Sequence, residues 1–389
     1  MVMGSVTKWI AGITRGHNGS TCLLKDGEIV FFIEEERLSR YKHDGTPLLS
    51  LQKCKDYTDQ LDYLVISHTQ PLSDAPRIDF AVTGAEEDIY TSFGRKTGLI
   101  DDSNKVIDYS RLHHKLHAAC AFYRSGFETA TALIVDGAGS AFNNGNTFYY
   151  ETESIFECSY PAGINTLYKH LGGTTATKRE IYSDFNTSIL DEDDHGKSIC
   201  IIDGLAGLAS AYLAVNMHLG FGPLDCGKTM GLASYGKSND DIPSMFYDKM
   251  FHYYTPVNSN FVSPVFPPGG VLIDSGTEYN REDLAYKVQQ ETQDVMTEYL
   301  KESVDMTGNY NIVLSGGYAL NCVANYHYLE QLKDEGINLY VEPISNDAGT
   351  SMGAALYHHY KTTGDRTIRD YSSPYLGPEY SYDDLLSLL

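Results

Sequence analysis

Two histidines, His113 and His117, stand four residues apart in the stretch DYSRLHHKLHAACAFYRSGF (108–127). The stretch reads as a helix, with Asp108 or Ser110 as its N-cap and Gly126 as its C-cap. Leu112, Leu116, Ala119 and Tyr123 recur at helical spacing and form its core stripe. Side chains at i and i+4 share a face, so the two imidazoles can reach one cation, while His114 points elsewhere. The same spacing is common on half-exposed helices that bind nothing, so a third ligand decides the matter. Asp347 suits that role because it lies in the loop NDAG, between a strand and a helix. Two imidazoles and one carboxylate leave coordination positions open, as in catalytic zinc and non-haem iron sites.

Three glycine turns each follow a β-rich apolar run: Gly16 to Ser20, Gly137 to Ser140, and Gly316-Gly317. Successive amide N–H groups in such backbone can converge on an anion without side-chain obstruction. One such turn is an ordinary tight turn; three together point to a phosphate-bearing ligand held between two lobes. Lys228, in CGKTMGLASYGK (226–237), reads as a cation in a Gly-rich loop that could meet that phosphate. There is no Walker A pattern and no GxGxxG opening a βαβ unit, so neither a P-loop nor a dinucleotide fold is favoured.

The elements that must position these residues alternate. Residues 9–14 read as a strand, followed by a hairpin about Asp26-Gly27, and 63–67 and 132–135 as further strands. Helices are expected at about 203–219 and 283–306. The end of the chain reads as strand 311–317, helix 318–335, strand 338–343 and helix 350–362, a βαβα pattern that argues for an α/β architecture. GITRGHNGS and LIVDGAGS look like one strand-to-Gly-turn theme used twice, which suggests two related halves. Residues 364–389, with two prolines and several aromatics, read as a surface tail or linker.

The 389 residues suffice for two domains, and a net charge of −23 repels polyanions, so long nucleic acid is a poor partner. The opening stretch has little positive charge, and no segment is apolar for about eighteen residues, so neither secretion nor membrane spanning is expected. Seven scattered cysteines without CxxC suggest neither a disulfide framework nor a thiolate metal site, which fits a reducing cytoplasm. The acidic surface and the tail leave room for a homodimer.

The segments GHNGSTCLLKDGEIVFFIEEERLSRYKHD, HHKLHAA (113–119), DGAGS (136–140), GKTMGLASYGK (227–237), LSGGYALNCVAN (314–325) and NDAGTSMGAAL (346–356) occur in the order seen in the NodU-type carbamoyltransferases, which the chain resembles over nearly its whole length. The resemblance implies an actin-like, Hsp70-like ATPase (Kae1-like) α/β fold, with two ribonuclease-H-like lobes around a nucleotide cleft. On it, residues 1–129 form the first lobe with the metal-binding helix. Residues 130–363 form the second lobe, whose last helix returns to the first, and 364–389 are a tail or linker.

By the same resemblance His113, His117 and Asp347 are metal ligands, for Fe2+ first and for Zn2+, Mn2+ or Mg2+ as alternatives. Gly137, Gly139, Lys228, Gly316, Gly317 and Asn321 fall on segments that contact ATP or carbamoyl-adenylate. His17 matches a histidine near the reacting group and could take a proton from the acceptor. The implied activity is O-carbamoyl transfer, from a donor made of carbamoyl phosphate and ATP, to the hydroxyl of a sugar, a natural product or a hydroxymethylated pyrimidine. Family members continue past SPYLGPEYS (373–381) into a Sua5-like domain that makes the donor, so a separate Sua5-like protein is an expected partner. The competing readings are a non-haem iron oxygenase and an actin-like nucleotide-binding regulator without transfer activity. Modification of tRNA is disfavoured by the charge.

Overall fold

A computed structural model describes residues 8–70, 88–144, 147–173, 180–186, 191, 194, 196–203, 207–247, 257–258, 260–264, 270–272, 278–371, 373–378 and 386–387. The first sheet contains β1 (Trp9–Thr14), β2 (Ser20–Lys25), β3 (Glu28–Glu34), β4 (Tyr63–Ser67) and β5 (Val106–Asp108), in the order β3-β2-β1-β4-β5. Strands β1, β2 and β3 are antiparallel, and β4 and β5 then run parallel to β1. Asp26 and Gly27 join β2 to β3 with φ of 52° and 85°, the two left-handed residues that a tight hairpin needs.

The second sheet repeats that plan. It holds β6 (Thr129–Val135), β7 (Ala141–Asn144), β8 (Thr147–Ser159), β9 (Gly163–Gly173), β10 (Glu180–Asn186) and β11 (Lys197–Asp203). After a small ribbon of β12 (Val262–Pro264) and β13 (Gly270–Leu272), β14 (Asn311–Ser315) and β15 (Asn338–Val341) complete it. Its order, β10-β11-β9-β8-β6-β14-β15, contains the first sheet's plan: three antiparallel strands, then two parallel to the first of them. Each lobe is therefore ribonuclease-H-like, and the two related halves expected from the Gly turns are two sheets of one topology.

The helices are α1 (Glu35–Ser39), α2 (Leu48–Gln52), α3 (Ile89–Lys96), α4 (His113–Ser125), α5 (Leu208–His218), α6 (Cys226–Ala233), α7 (Arg281–Thr307), α8 (Cys322–Leu332) and α9 (Ala348–Thr363). Helix α4, which follows the first sheet, packs on β6 and β14 of the second. Helix α9, which follows the second sheet, packs on β1, β2 and β4 of the first, and the two helices also pack against each other. This exchange welds the lobes through one central core. Along β6, Ala130, Ala132 and Ile134 face that core while Leu133 and Val135 face the outer core of the second lobe, the period of two of a strand buried on both sides. Small residues let the central helices close up, since a Cβ on Gly353 of α9 would lie 1.9 Å from the Leu116 carbonyl oxygen of α4.

Several local expectations change. The half-exposed helix at 108–127 is a 3-10 turn, Ser110–Leu112, followed by α4, and residues 113–124 are all buried because the helix lies between two packed layers. The loop expected around Lys228 is helix α6. The helix expected at 318–335 is broken: a 3-10 turn at Gly317–Leu320 precedes α8. Residues 204–206 of the helix expected at 203–219 lie outside the described residues, as do 379–385 and 388–389 of the tail. The described part of the tail lies on the first lobe, where the Phe32 amide donates to the Leu376 carbonyl (2.7 Å) and Arg369 donates to Glu28 (2.8 Å) and Asp365 (2.7 Å). Among the described residues, no helix is long and apolar enough to cross a membrane.

Candidate metal centre in the cleft between two lobes

The residues at issue cluster just beyond the carboxyl ends of the parallel strands. Gly16 and His17 follow β1, His68 follows β4, Asp136 follows β6, Gly316 and Gly317 follow β14, and Asp347 lies past β15. Ligands of open α/β sheets bind at such strand ends.

His113 and His117, on consecutive turns of α4, point their Nε2 atoms at each other, 3.2 Å apart. His113 Nε2 lies 3.3 Å from Asp136 Oδ2 and 3.6 Å from Asp347 Oδ1, and His117 Nε2 lies 3.8 Å from each of the same oxygens. Four donors bonded at about 2.1 Å to one small cation would stand about 3.0–3.5 Å apart, close to this spacing. The set also fits electrically: two carboxylates with two neutral imidazoles carry two negative charges in a site that is buried except on the Asp347 side. In the absence of a cation a proton takes its place. Burial disfavours charge on His113, yet Asp347 and Asp136 outweigh it and raise its pKa to about 10. Against the opposing effect of burial, His113 holds Asp136 down to about 2 and Asp347 well below the usual carboxylate range.

His117 and Asp136 are held from behind, and the start of α4, which carries His113, is fixed by the other lobe, although His113 Nδ1 itself has no hydrogen-bond partner among the described residues. The N-terminus of α4 has no local side-chain cap; its amides at His113 and His114 donate to Ser140 Oγ (3.1 Å) and Glu151 Oε2 (3.4 Å) of the other lobe. Lys169 neutralises Glu151 in a buried pair. His117 Nδ1 meets Ser315 Oγ at 3.3 Å, and Asp136 Oδ1 accepts from the Gly317 amide at 2.9 Å. Such outer partners fix ring and carboxylate orientation. Asp347 occupies the N-cap position of α9, but its carboxylate makes no capping bond and turns toward the histidines instead. A buried hydroxyl cluster of Thr14, Ser67 and Thr350, with mutual separations of 2.5–2.9 Å, anchors that end of α9 to β1 and β4.

Of the residues singled out from sequence, His113, His117 and Asp347 are brought together here, with Gly317 against Asp136. His17 is about half exposed at the rim, its Nδ1 3.8 Å from Asp347 Oδ2. The Gly139 amide donates to the Glu151 carbonyl (2.7 Å), so the amides of the second Gly turn without a partner among the described residues are those of Gly137 and Ala138. Asn321 caps α8 through the Ala324 amide (3.1 Å) and pairs with Gln289. Lys228 is exposed on α6 and donates to Asp225 at 2.8 Å.

Sequence reasoning missed Asp136 and His68. Asp136 was legible as the carboxylate that opens the DGAGS turn at the end of a buried strand. His68 had no motif around it. Burial first, then Arg15 and His113, push its pKa down to about 3, so it stands beside the Gly16 turn as a neutral ring.

Two lobes of this topology with a site at their junction make an actin-like α/β fold. HypF, solved in a phosphate- and nucleotide-bound form, shares the fold, with a TM-score of 0.53 and 14% identity, covering 92% of this chain and 56% of that one. The chain belongs to the family described as carbamoyltransferase N-terminus, whose model matches residues 96–356. It is 25% identical to the nodulation protein NolNO of Sinorhizobium fredii, over 94% of this chain and 50% of NolNO. It is 26% identical to the Synechocystis protein sll1178, over 96% of this chain and 61% of that protein. The chain thus spans about half to three fifths of the length of these relatives.

Proposed function

We propose that this chain carries out O-carbamoyl transfer, from a carbamoyl-adenylate-type donor made of carbamoyl phosphate and ATP, to an acceptor hydroxyl. The observation that carries the reading is the cluster of His113, His117, Asp136 and Asp347 at the lobe junction of a carbamoyltransferase-family fold. These four residues would hold a divalent metal; Fe2+ comes first by the family resemblance, and their mixed nitrogen and oxygen donors suit Fe2+, Zn2+ or Mn2+. When bound, it supplies Lewis-acid stabilisation of charge on oxygen.

The chain's own residues have distinct tasks. The Gly137 and Ala138 amides face the donor's phosphate, and the exposed Lys228 can leave the half-buried Asp225 carboxylate for it. His17 stands at the open rim of the metal cluster, where an acceptor enters, and takes the hydroxyl proton. The hydroxyl oxygen then bonds to the carbamoyl carbon while the carbon–oxygen bond to the adenylate phosphate breaks and AMP leaves. His68, neutral and mostly buried, walls the same side. An iron oxygenase has little support, because two lobes with glycine turns replace the β-barrel usual for such enzymes.

The test supplies carbamoyl phosphate and ATP with a panel of hydroxyl compounds and follows AMP, pyrophosphate and carbamoylated product. Acceptor-dependent product, formed by this chain alone or with a Sua5-like partner, is the expected result. Binding of ATP with no transfer to any acceptor, even with preformed donor, would favour a regulatory role instead.

A further inference from the structure

Helix α4 begins without a cap of its own. Leu112, at its N-cap position, offers no side-chain acceptor, so the first amides of the helix need partners from elsewhere. They find them in a ring of hydrogen bonds that closes on one carboxylate. The His113 amide donates to Ser140 Oγ (3.1 Å) and the His114 amide to Glu151 Oε2 (3.4 Å), while the Ser140 amide donates to that same Glu151 oxygen (2.9 Å). The Glu151 carbonyl also accepts the Gly139 amide (2.7 Å). One residue of β8 therefore grips both the start of α4 and the end of the second Gly turn.

Those two elements carry different members of the metal cluster. His113 rides on the first turn of α4, and Asp136 opens the Gly turn that ends at Ser140, with its Oδ2 3.3 Å from His113 Nε2. Their separation depends on how the helix start is registered against the turn, and the ring through Glu151 fixes that register. The joint is tightly filled: a Cβ on Gly139 would lie 2.4 Å from His114 Cδ2 and 2.7 Å from Glu151 Oε2.

An acid in this place is costly by itself. Glu151 is only 2% exposed, and it is paired with Lys169 of β9, only 3% exposed. Buried ion pairs add little net stability over apolar residues of the same shape, so stability alone is a poor account of this one. What an apolar pair lacks is an oxygen that accepts two backbone amides at once, at a helix start where negative charge is favoured.

We propose that Glu151, neutralised by Lys169, is a positioning residue for the metal centre: its carboxylate registers α4 against the Asp136 turn so that His113 and Asp136 reach one ion. The inference rests on the metal reading of the cluster, and it is measured by metal binding without turnover.

Metal-free protein is titrated with Co2+, whose visible absorption reports the donors around it. Glu151→Ala combined with Lys169→Met removes the grip without stranding a buried ammonium. This variant should bind Co2+ about 10–100-fold more weakly than wild type, the usual worth of outer partners of metal ligands, and with an altered absorption. Glu151→Gln combined with Lys169→Gln keeps an oxygen for the two amides and a neutral pair behind it, and should bring the affinity back to within about threefold of wild type. A purely structural brace would lower the urea midpoint of the metal-free protein but leave the affinity and absorption of folded molecules unchanged. If the first variant does not fold, Gly139→Ala decides instead, since its Cβ wedges into the joint of His114 and Glu151 while the buried pair stays in place.

The proposal is overturned if the Ala/Met variant, or Gly139→Ala in its stead, binds Co2+ as wild type does. It is equally overturned if the Gln/Gln variant binds as weakly as the Ala/Met variant. Wild type that takes up no Co2+ would sink the metal reading itself, and this inference with it.

Discussion

The Nε2 atoms of His113 and His117 face each other at 3.2 Å across rings inclined at 82°. Two neutral imidazoles turned this way have lone pairs aimed at one point, an arrangement that a shared cation satisfies and a single hydrogen bond leaves half used. His117→Ala is expected to lower metal affinity about 100-fold or more, since even outer-sphere partners of such ligands are worth 10–100-fold. Metal content by plasma mass spectrometry should fall to traces while circular dichroism stays native.

The same cluster sets a pH dependence. In metal-free protein the pKa of His113 is raised to about 10, so its contribution to stability is complete below the ordinary histidine range and is lost as pH climbs toward 10. Asp136 and Asp347 are depressed, so theirs is present above the ordinary carboxylate range and is lost as pH falls below it, for Asp136 toward 2. The melting temperature of chelated wild type minus that of His113→Gln should therefore be largest between about pH 4 and 6.5. Metal must displace the His113 proton, so its affinity should rise about tenfold per pH unit through neutrality, levelling near pH 10.

Behind the cluster, Arg124 Nε donates to Glu342 Oε2 at 3.0 Å, with both side chains fully buried. Glu342 also accepts the Ile344 amide, which fixes the loop leading to Asp347. Arg124→Ala leaves a buried carboxylate without its partner and should cost about 3–5 kcal/mol in urea unfolding. Arg124→Met with Glu342→Leu should recover most of that loss.

Close helix contact makes a third structural test. Gly353→Ala forces a Cβ toward the Leu116 carbonyl, so α4 must move away from α9. A loss of about 1–3 kcal/mol is expected, together with weaker metal binding, because His113 and His117 ride on the displaced helix.

Much of this was legible in the chain. The hairpin at Asp26-Gly27, the β-strands at 9–14 and 63–67 and the long helix α7 follow from turn chemistry and periodicity, which act locally. The doubled strand-to-Gly-turn theme announced two halves because each turn ends the first strand of its own sheet. What was not legible depends on contacts distant in sequence. Residues 113–124 are buried throughout because α4 is enclosed by elements from both halves, so the single core stripe of Leu112, Leu116, Ala119 and Tyr123 located the helix but understated its burial. Asp136 joins His113 only after β6 places it across from α4, and Glu151 caps that helix from 37 residues away. Lys228 falls on a helix although Gly227 and Gly231 suggested a loop, because Thr229 and Ala233 bury one face of it.

The central claim is that a metal held by His113, His117, Asp136 and Asp347 is required for carbamoyl transfer, and Asp136→Asn tests it most directly, since it keeps the shape and removes one charge. Metal content and transfer of labelled carbamoyl from preformed carbamoyl-adenylate would be measured side by side in wild type and variant. The account predicts that both fall together, by about 100-fold or more in metal affinity, and that excess metal restores part of the transfer. Full transfer by a variant that holds no metal would contradict it.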